Sequence, residues 1–145
     1  EARSEGSVGM LAVAMVTINR VMNSAYPNTI CDVVHQGKHV ESHKTKKIKE
    51  LPDELRVYVP VANRCQFSWY CDGIPDLVHS PRQYDQALHI AEVVIASFLN
   101  KSKIVDITEG ATHYHATYVD PNWANSGELS KVARIGSHIF YKKPV

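Results

Sequence analysis

The chain has 145 residues, 44% hydrophobic and 21% charged, with a net charge of +1. Most simply this is one domain, residues 1–145, long enough to bury a real core and ordinary in composition for a soluble globular protein. The near-neutral balance gives no steering toward nucleic acid, and no apolar run is long enough to cross a bilayer, so membrane insertion is not expected.

In chain order, Glu1-Ala2-Arg3-Ser4-Glu5-Gly6 sets two carboxylates and a guanidinium within five positions, directly before an apolar run. The spacing of Met10, Leu11, Ala14, Thr17, Ile18 and Val21 predicts a strongly amphipathic helix from about Ser7 to Asn23, capped by Ser4 or Ser7 and ended by Tyr26-Pro27-Asn28. A helix carrying Glu1 is expected to extend upstream, so that residues before it were missing or trimmed. A short helix from Thr29 to Gln36 follows, burying Ile30, Val33 and Val34.

From Gly37 to about Pro52 the pattern dissolves into histidines and lysines, and the basic stretch of about 38–50 reads as a solvated, mobile insertion. Asp53 to Asn63 reads as a further short helix, although Pro60 sits uneasily in it. Cys65 and Cys71 bracket a polar-aromatic loop and form a disulfide candidate, with Cys31 left over; three reduced, packed cysteines are the other reading.

Ser80 as cap and Pro81 at the first position open the clearest helix, with Tyr84, Ala87, Leu88, Ala91, Ile95, Phe98 and Leu99 as its stripe. Ala111–Tyr118 and Lys131–Tyr141 alternate like strands across a turn rich in Asp, Pro, Asn and Gly. The fold class is therefore α+β, helix-dominated, with a small antiparallel strand region near the C-terminal end.

Three clusters carry chemistry. Glu1 and Glu5, four apart, share a face if both are helical. They read either as acids complementing a helix dipole or as the seat of a general acid with a raised pKa, with Arg3 organising the local charge or pairing with Glu5. Gln66-Phe67-Ser68-Trp69-Tyr70 offers rings and amides suited to sugar faces and N-acetyl groups, or simply a loop folding onto the core. In Thr112–Tyr118, His113 and His115 point one way along a strand and Tyr114 the other, and Trp123 lies on a second aromatic loop.

His113-x-His115, completed by His79 or Asp120, is a conceivable zinc set, but no His-Glu-x-x-His run is present. No local pattern supports a cysteine nucleophile, and no glycine-rich phosphate loop or recognition helix is found.

Glu1-Ala-Arg-Ser-Glu-Gly, Gly9-Met10-x-Ala12-Val13-Ala14, Asn19-Arg20-Val21, Tyr26-Pro27-Asn28-Thr29 and Arg134-Ile135-Gly136-x-His138-x-Phe140 together resemble the SleB-type cell-wall hydrolases. That family includes spore-cortex-lytic enzymes and related bacterial and phage proteins. Gln66-Phe67-Ser68-Trp69 and Ala111–Ala116 look like its proteobacterial and phage version.

The resemblance implies a lysozyme-like catalytic domain that cleaves the glycan strand of peptidoglycan, between N-acetylmuramic acid and N-acetylglucosamine. It implies a lytic transglycosylase with one catalytic glutamate, Glu1 by motif position, and Glu5 as the supporting or fallback acid. Gln66, Phe67, Ser68, Trp69, His113, Tyr114 and Trp123 are then the substrate-binding candidates. No cofactor and no metal are implied, peptidoglycan is the partner, and the molecule is expected to act on the bacterial cell wall as a monomer. Ser4 replaces the family's usual glycine, and the basic stretch departs from the compact spore enzymes. A muramidase, a zinc amidase and a non-catalytic glycan-binding module are the alternatives.

Overall fold

The computed structural model describes residues 1–102 and 104–144. The chain forms two compact units: Val34–Leu77, and the remainder on either side of it.

The larger unit is built on helix α1 (Gly6–Val21), which is buried almost all round rather than along one stripe. Ala12 and Val16 form a core with Ala111 and Phe140. Met15 and Ile18 form a second core with Val94 of helix α4 (Pro81–Leu99). A helix covered on two sides must be apolar on both, so the amphipathic expectation for α1 gives way to a central helix. No serine caps it: Glu5 holds the N-cap position, and its side chain makes no capping bond. Ser7 instead accepts a hydrogen bond from Gln86 of α4. The short helix expected over Thr29–Gln36 is present as α2 (Ile30–Val34), with Val33 buried.

Helix α4 starts as the sequence predicts, with the Ser80 hydroxyl accepting from the Gln83 amide at 3.3 Å and Pro81 at the first position. Its packed face is Ile90, Val94 and Phe98, whereas Tyr84, Leu88, Ile95 and Leu99 are exposed. The helix carries two overlapping apolar stripes, and packing on α1 selects the one that periodicity alone did not favour.

In the three-stranded antiparallel sheet, strand β5 (His138–Lys142) lies between β3 (His113–Ala116) and β4 (Ser130–Ile135). The single strand expected over Lys131–Tyr141 is thus a hairpin, turning at Gly136 with φ +54°. Asn19 and Arg20 at the end of α1 tie the helix to the entry of β3. Asn19 Nδ2 donates to Ala111 O at 3.0 Å and to Asp106 Oδ2 at 2.9 Å, and Arg20 Nε donates to Thr112 O at 2.7 Å.

Asp106 also accepts from the Thr108 hydroxyl and amide and from the Gly110 amide. Burial acts to raise this carboxyl, but the hydrogen bonds from Thr108, Asn19 and Gly110 outweigh it and hold the pKa below its ordinary value of 3.8. A depressed carboxyl contributes stability that is present above its unfolded value and is lost as the pH falls through the folded one. The stability advantage of the wild type over Asp106→Asn should therefore be constant from neutrality to about pH 5 and shrink through the acid range below it. Urea titrations of both proteins at stepped pH read this; an advantage that grows on acidification sinks it.

The smaller unit is an antiparallel ribbon of β1 (Gly37–Glu41) and β2 (Tyr58–Cys65), with helix α3 (His43–Lys46) and a 3-10 turn (Asp53–Leu55) in the connection. This corrects two expectations. The basic stretch is a strand and a helical turn, and the helix expected over Asp53–Asn63 is mostly β2. Both strands of a two-stranded ribbon are edges, so Pro60, paired with His39, forfeits no ladder bond to a further strand. Cys65 and Cys71 are joined in a disulfide, their Cα atoms 6.1 Å apart, and Cys31 is an exposed thiol.

Candidate active site

Glu1–Glu5 is a turn rather than helix, closed by the Glu5 amide donating to Ala2 O at 3.0 Å. Gly6 then takes φ +72°, a left-handed value that only glycine adopts at little cost, and α1 begins there. Glu1 and Glu5 therefore do not share a helix face. Glu1 is exposed; Glu5 is turned inward, its side chain 13% accessible.

The Glu5 carboxylate reaches the β4–β5 turn. Its Oε2 accepts from the Ser137 amide at 3.1 Å, and its Oε1 lies 3.6 Å from His138 Nδ1. The partner of Glu5 is thus the C-terminal hairpin rather than Arg3; no Arg3–Glu5 ion pair occurs among the described residues.

Tyr114 abuts this anchor. Its ring meets His138 edge-on with centroids 5.3 Å apart and packs on Phe140 at 5.8 Å. Burial, and then the charge of Glu1, push the phenol far above its ordinary pKa, with Arg20 opposing. The hydroxyl therefore stays protonated and able to donate to an oxygen beside Glu1. Arg20 itself is buried, its guanidinium 5.5 Å from the centre of the Tyr26 ring, and burial lowers its pKa against the pull of Tyr26 and Tyr114.

On the opposite side of β3, His113 and His115 both pack against Trp123, each with centroids 5.5 Å apart. Burial, then Arg20 and Lys143, lowers the His113 pKa, which leaves its ring neutral at pH 7. His115 contacts Ala116 O through Nδ1 at 2.8 Å and the Tyr141 hydroxyl through Nε2 at 3.0 Å. With both ring nitrogens engaged, His115 is poorly placed to ligate a metal, and no group of three potential ligands forms among the described residues. Tyr141, which stacks on His115 and meets Trp123 edge-on, is a member of this ring cluster that the sequence reading passed over. It ends the stretch read as strand over Lys131–Tyr141, and its place opposite His113 is fixed only once β3 and β5 pair.

In the smaller unit, Ser68, Trp69 and Tyr70 form a 3-10 turn inside the disulfide loop that begins at Gln66. Trp69 and Tyr70 are part-exposed, and Tyr70 packs at 4.6 Å on His35. Phe67 is only 4% accessible, so its ring is closed off from solvent rather than lining an open wall.

Glu5, the hairpin that receives it and the ring-bearing strand fall within one sequence profile, that of the cell wall hydrolases, which matches residues 4–141 and begins just after Glu1. The chain belongs to the cell wall hydrolase family. Its fold is that of two solved relatives. The catalytic domain of the Bacillus cereus SleB protein is 21% identical, with 97% of this chain covering 79% of that one at a TM-score of 0.54. The catalytic domain of the germination-specific lytic transglycosylase SleB from Bacillus anthracis is also 21% identical, with 98% covering 84% at 0.55. At such identity the likeness is one of fold, α+β and lysozyme-like. No curated protein matches the chain.

Proposed function

We propose that this cell wall hydrolase cuts peptidoglycan glycan strands between N-acetylmuramic acid and N-acetylglucosamine, as a lytic transglycosylase with Glu1 as its acid. The observation that carries this reading is the division of labour within the acidic turn. Glu5 is drawn inward to Ser137 and His138, whereas Glu1 is the exposed carboxylate of the run, close enough to Tyr114 to act on its phenol. A solvent-exposed carboxylate suits a mechanism that uses the same group twice.

Protonated Glu1 donates its proton to the glycosidic oxygen, the C1–O bond breaks, and an oxocarbenium-like centre develops on the muramic sugar. The Glu1 carboxylate then takes the proton from that sugar's C6 hydroxyl as its oxygen bonds to C1, closing a 1,6-anhydro ring and restoring the acid. No nucleophilic carboxylate is needed. Tyr114, held neutral, donates to an oxygen near the acid. His113 and Trp123 supply sugar contacts in the larger unit; Gln66, Ser68 and Trp69 are, separately, the sugar-contact candidates of the smaller one. The molecule acts on the bacterial wall, in the periplasm, outside the cell or as a phage lysis or virion protein, and works as a monomer without a cofactor.

Mass spectrometry of a peptidoglycan digest tests this directly. Anhydro-muropeptides are expected, in unchanged yield with a chelator present. Reducing muramic ends would make water the attacking group and the protein a muramidase. Free stem peptides released only without chelator would mean a zinc amidase, and an undigested but protein-coated sacculus a binding module.

A further inference from the structure

The turn bearing Glu1 is not an extension of α1. The left-handed Gly6 separates them, so helix rigidity does not reach the acid. What holds the turn is Glu5, and residues both beside it in the chain and far along it, at the C-terminal hairpin, are shaped around it.

At Gly9, an added Cβ would fall closer than 3.0 Å to the Glu5 Cβ and 3.3 Å from its Cγ. At Gly136, an added Cβ would land on Glu5 Oε2, and the positive φ there resists a side chain independently. Between these two bare positions the carboxylate meets the Ser137 amide at 3.1 Å. His138 Nδ1, buried and without a hydrogen-bond partner, lies 3.6 Å from the other oxygen. The His138 ring abuts Tyr114, whose phenol feels Glu1. Buried Ala2, whose carbonyl receives the Glu5 amide, closes the turn from the other side.

We propose that Glu5 is a positioning residue whose carboxylate, seated between Gly9 and Gly136 and bound to Ser137, locks the Glu1–Glu5 turn onto the β4–β5 hairpin. The hairpin, rather than the helix, then sets the aim of the acid. This rests on Glu1 being the acid, and it assigns Glu5 no proton transfer. A misplacement of about 1 Å at a reacting group can cost on the order of 100-fold in rate, so the lock acts through kcat.

The test uses the wild type, Glu5→Gln, Glu5→Ala, Gly136→Ala and Glu1→Gln, on soluble glycan-strand fragments. It also measures amide-hydrogen exchange at Ser137. Glu5→Gln keeps an oxygen for Ser137 and should retain kcat within about threefold, with both limbs of the pH profile unmoved. Glu5→Ala should lose kcat by roughly 10- to 100-fold with KM little changed. Gly136→Ala should do the same with Glu5 intact. Ser137 exchange should quicken in the last two variants and not in Glu5→Gln.

If Glu5→Gln is as inactive as Glu1→Gln while Ser137 stays protected, Glu5 takes part in the chemistry and the proposal falls. Full kcat in Glu5→Ala sinks it equally. Should Glu5→Ala fail to fold, Gly136→Ala against Glu5→Gln makes the same decision. A wild type that releases no cut strands would overturn the enzyme reading instead, and Ser137 exchange would still report whether the lock exists.

Discussion

Glu1→Gln should lower the rate of glycan cleavage by roughly 100- to 10,000-fold, the range that a positioned general acid contributes. The amide matches the carboxyl in size and has no proton to give to a leaving oxygen. Because Glu1 is exposed and stands outside α1, the variant should keep its stability within about 0.5 kcal/mol, as surface substitutions usually do. A loss of activity is then a loss of chemistry. Release of soluble muropeptides measures the first quantity and urea denaturation the second. If Glu1→Gln retains full activity, the acid is elsewhere; if it unfolds, the residue is structural.

The largest effect on stability should come from Phe140→Ala, a loss of about 3–5 kcal/mol. Phe140 is fully buried at the centre of β5, the strand that pairs with both β3 and β4. It shares a core with Ala12 and Val16 of α1 and Ala111, and its ring packs on Tyr114. Removing it leaves a cavity flanked by two small alanines, which have little side chain to move into the space. Against a total of about 5–15 kcal/mol for a typical domain, such a loss leaves a protein close to its unfolding threshold. Denaturant titration with an unchanged m-value checks this, and a loss below 1 kcal/mol would mean that Phe140 is not central to the core. Activity should fall further than the folded fraction does, because the same strand begins at His138 beside the Glu5 anchor.

Much of the architecture was legible where the signal is local. Ser80-Pro81 announced α4, and the apolar run after Gly6 announced α1. Errors arose where tertiary partners decide. The face of α4 was chosen by α1, a competition that a single helix does not record. The β2 strand was read as a helix although Pro60 counted against that helix, and the same proline is harmless in a two-stranded ribbon. Of the lysines that read as a solvated insertion, Lys38 lies on β1, where a charged side chain discourages a ribbon edge from recruiting another chain, and the others lie in α3 and the connection after it. In the site, the acidic run stood out at once, but the different roles of its two glutamates did not. That difference comes from a hydrogen bond between Glu5 and Ser137, 132 positions apart, and from two glycines whose only visible feature is a missing side chain.

The Cys65–Cys71 bridge carries a consequence for where the protein matures. A two-stranded ribbon is marginal on its own, and this one ends in the cross-linked loop that holds Ser68 and Trp69. Closing so short a loop contributes on the order of 2 kcal/mol in the chain-entropy account. The shape of that loop is therefore tied to redox chemistry: thiol-rich surroundings would hold it loose, and oxidising ones would firm it. For a protein made on one side of a membrane and working on the other, as proposed above, that covalent step would firm the loop only beyond the compartment that makes it.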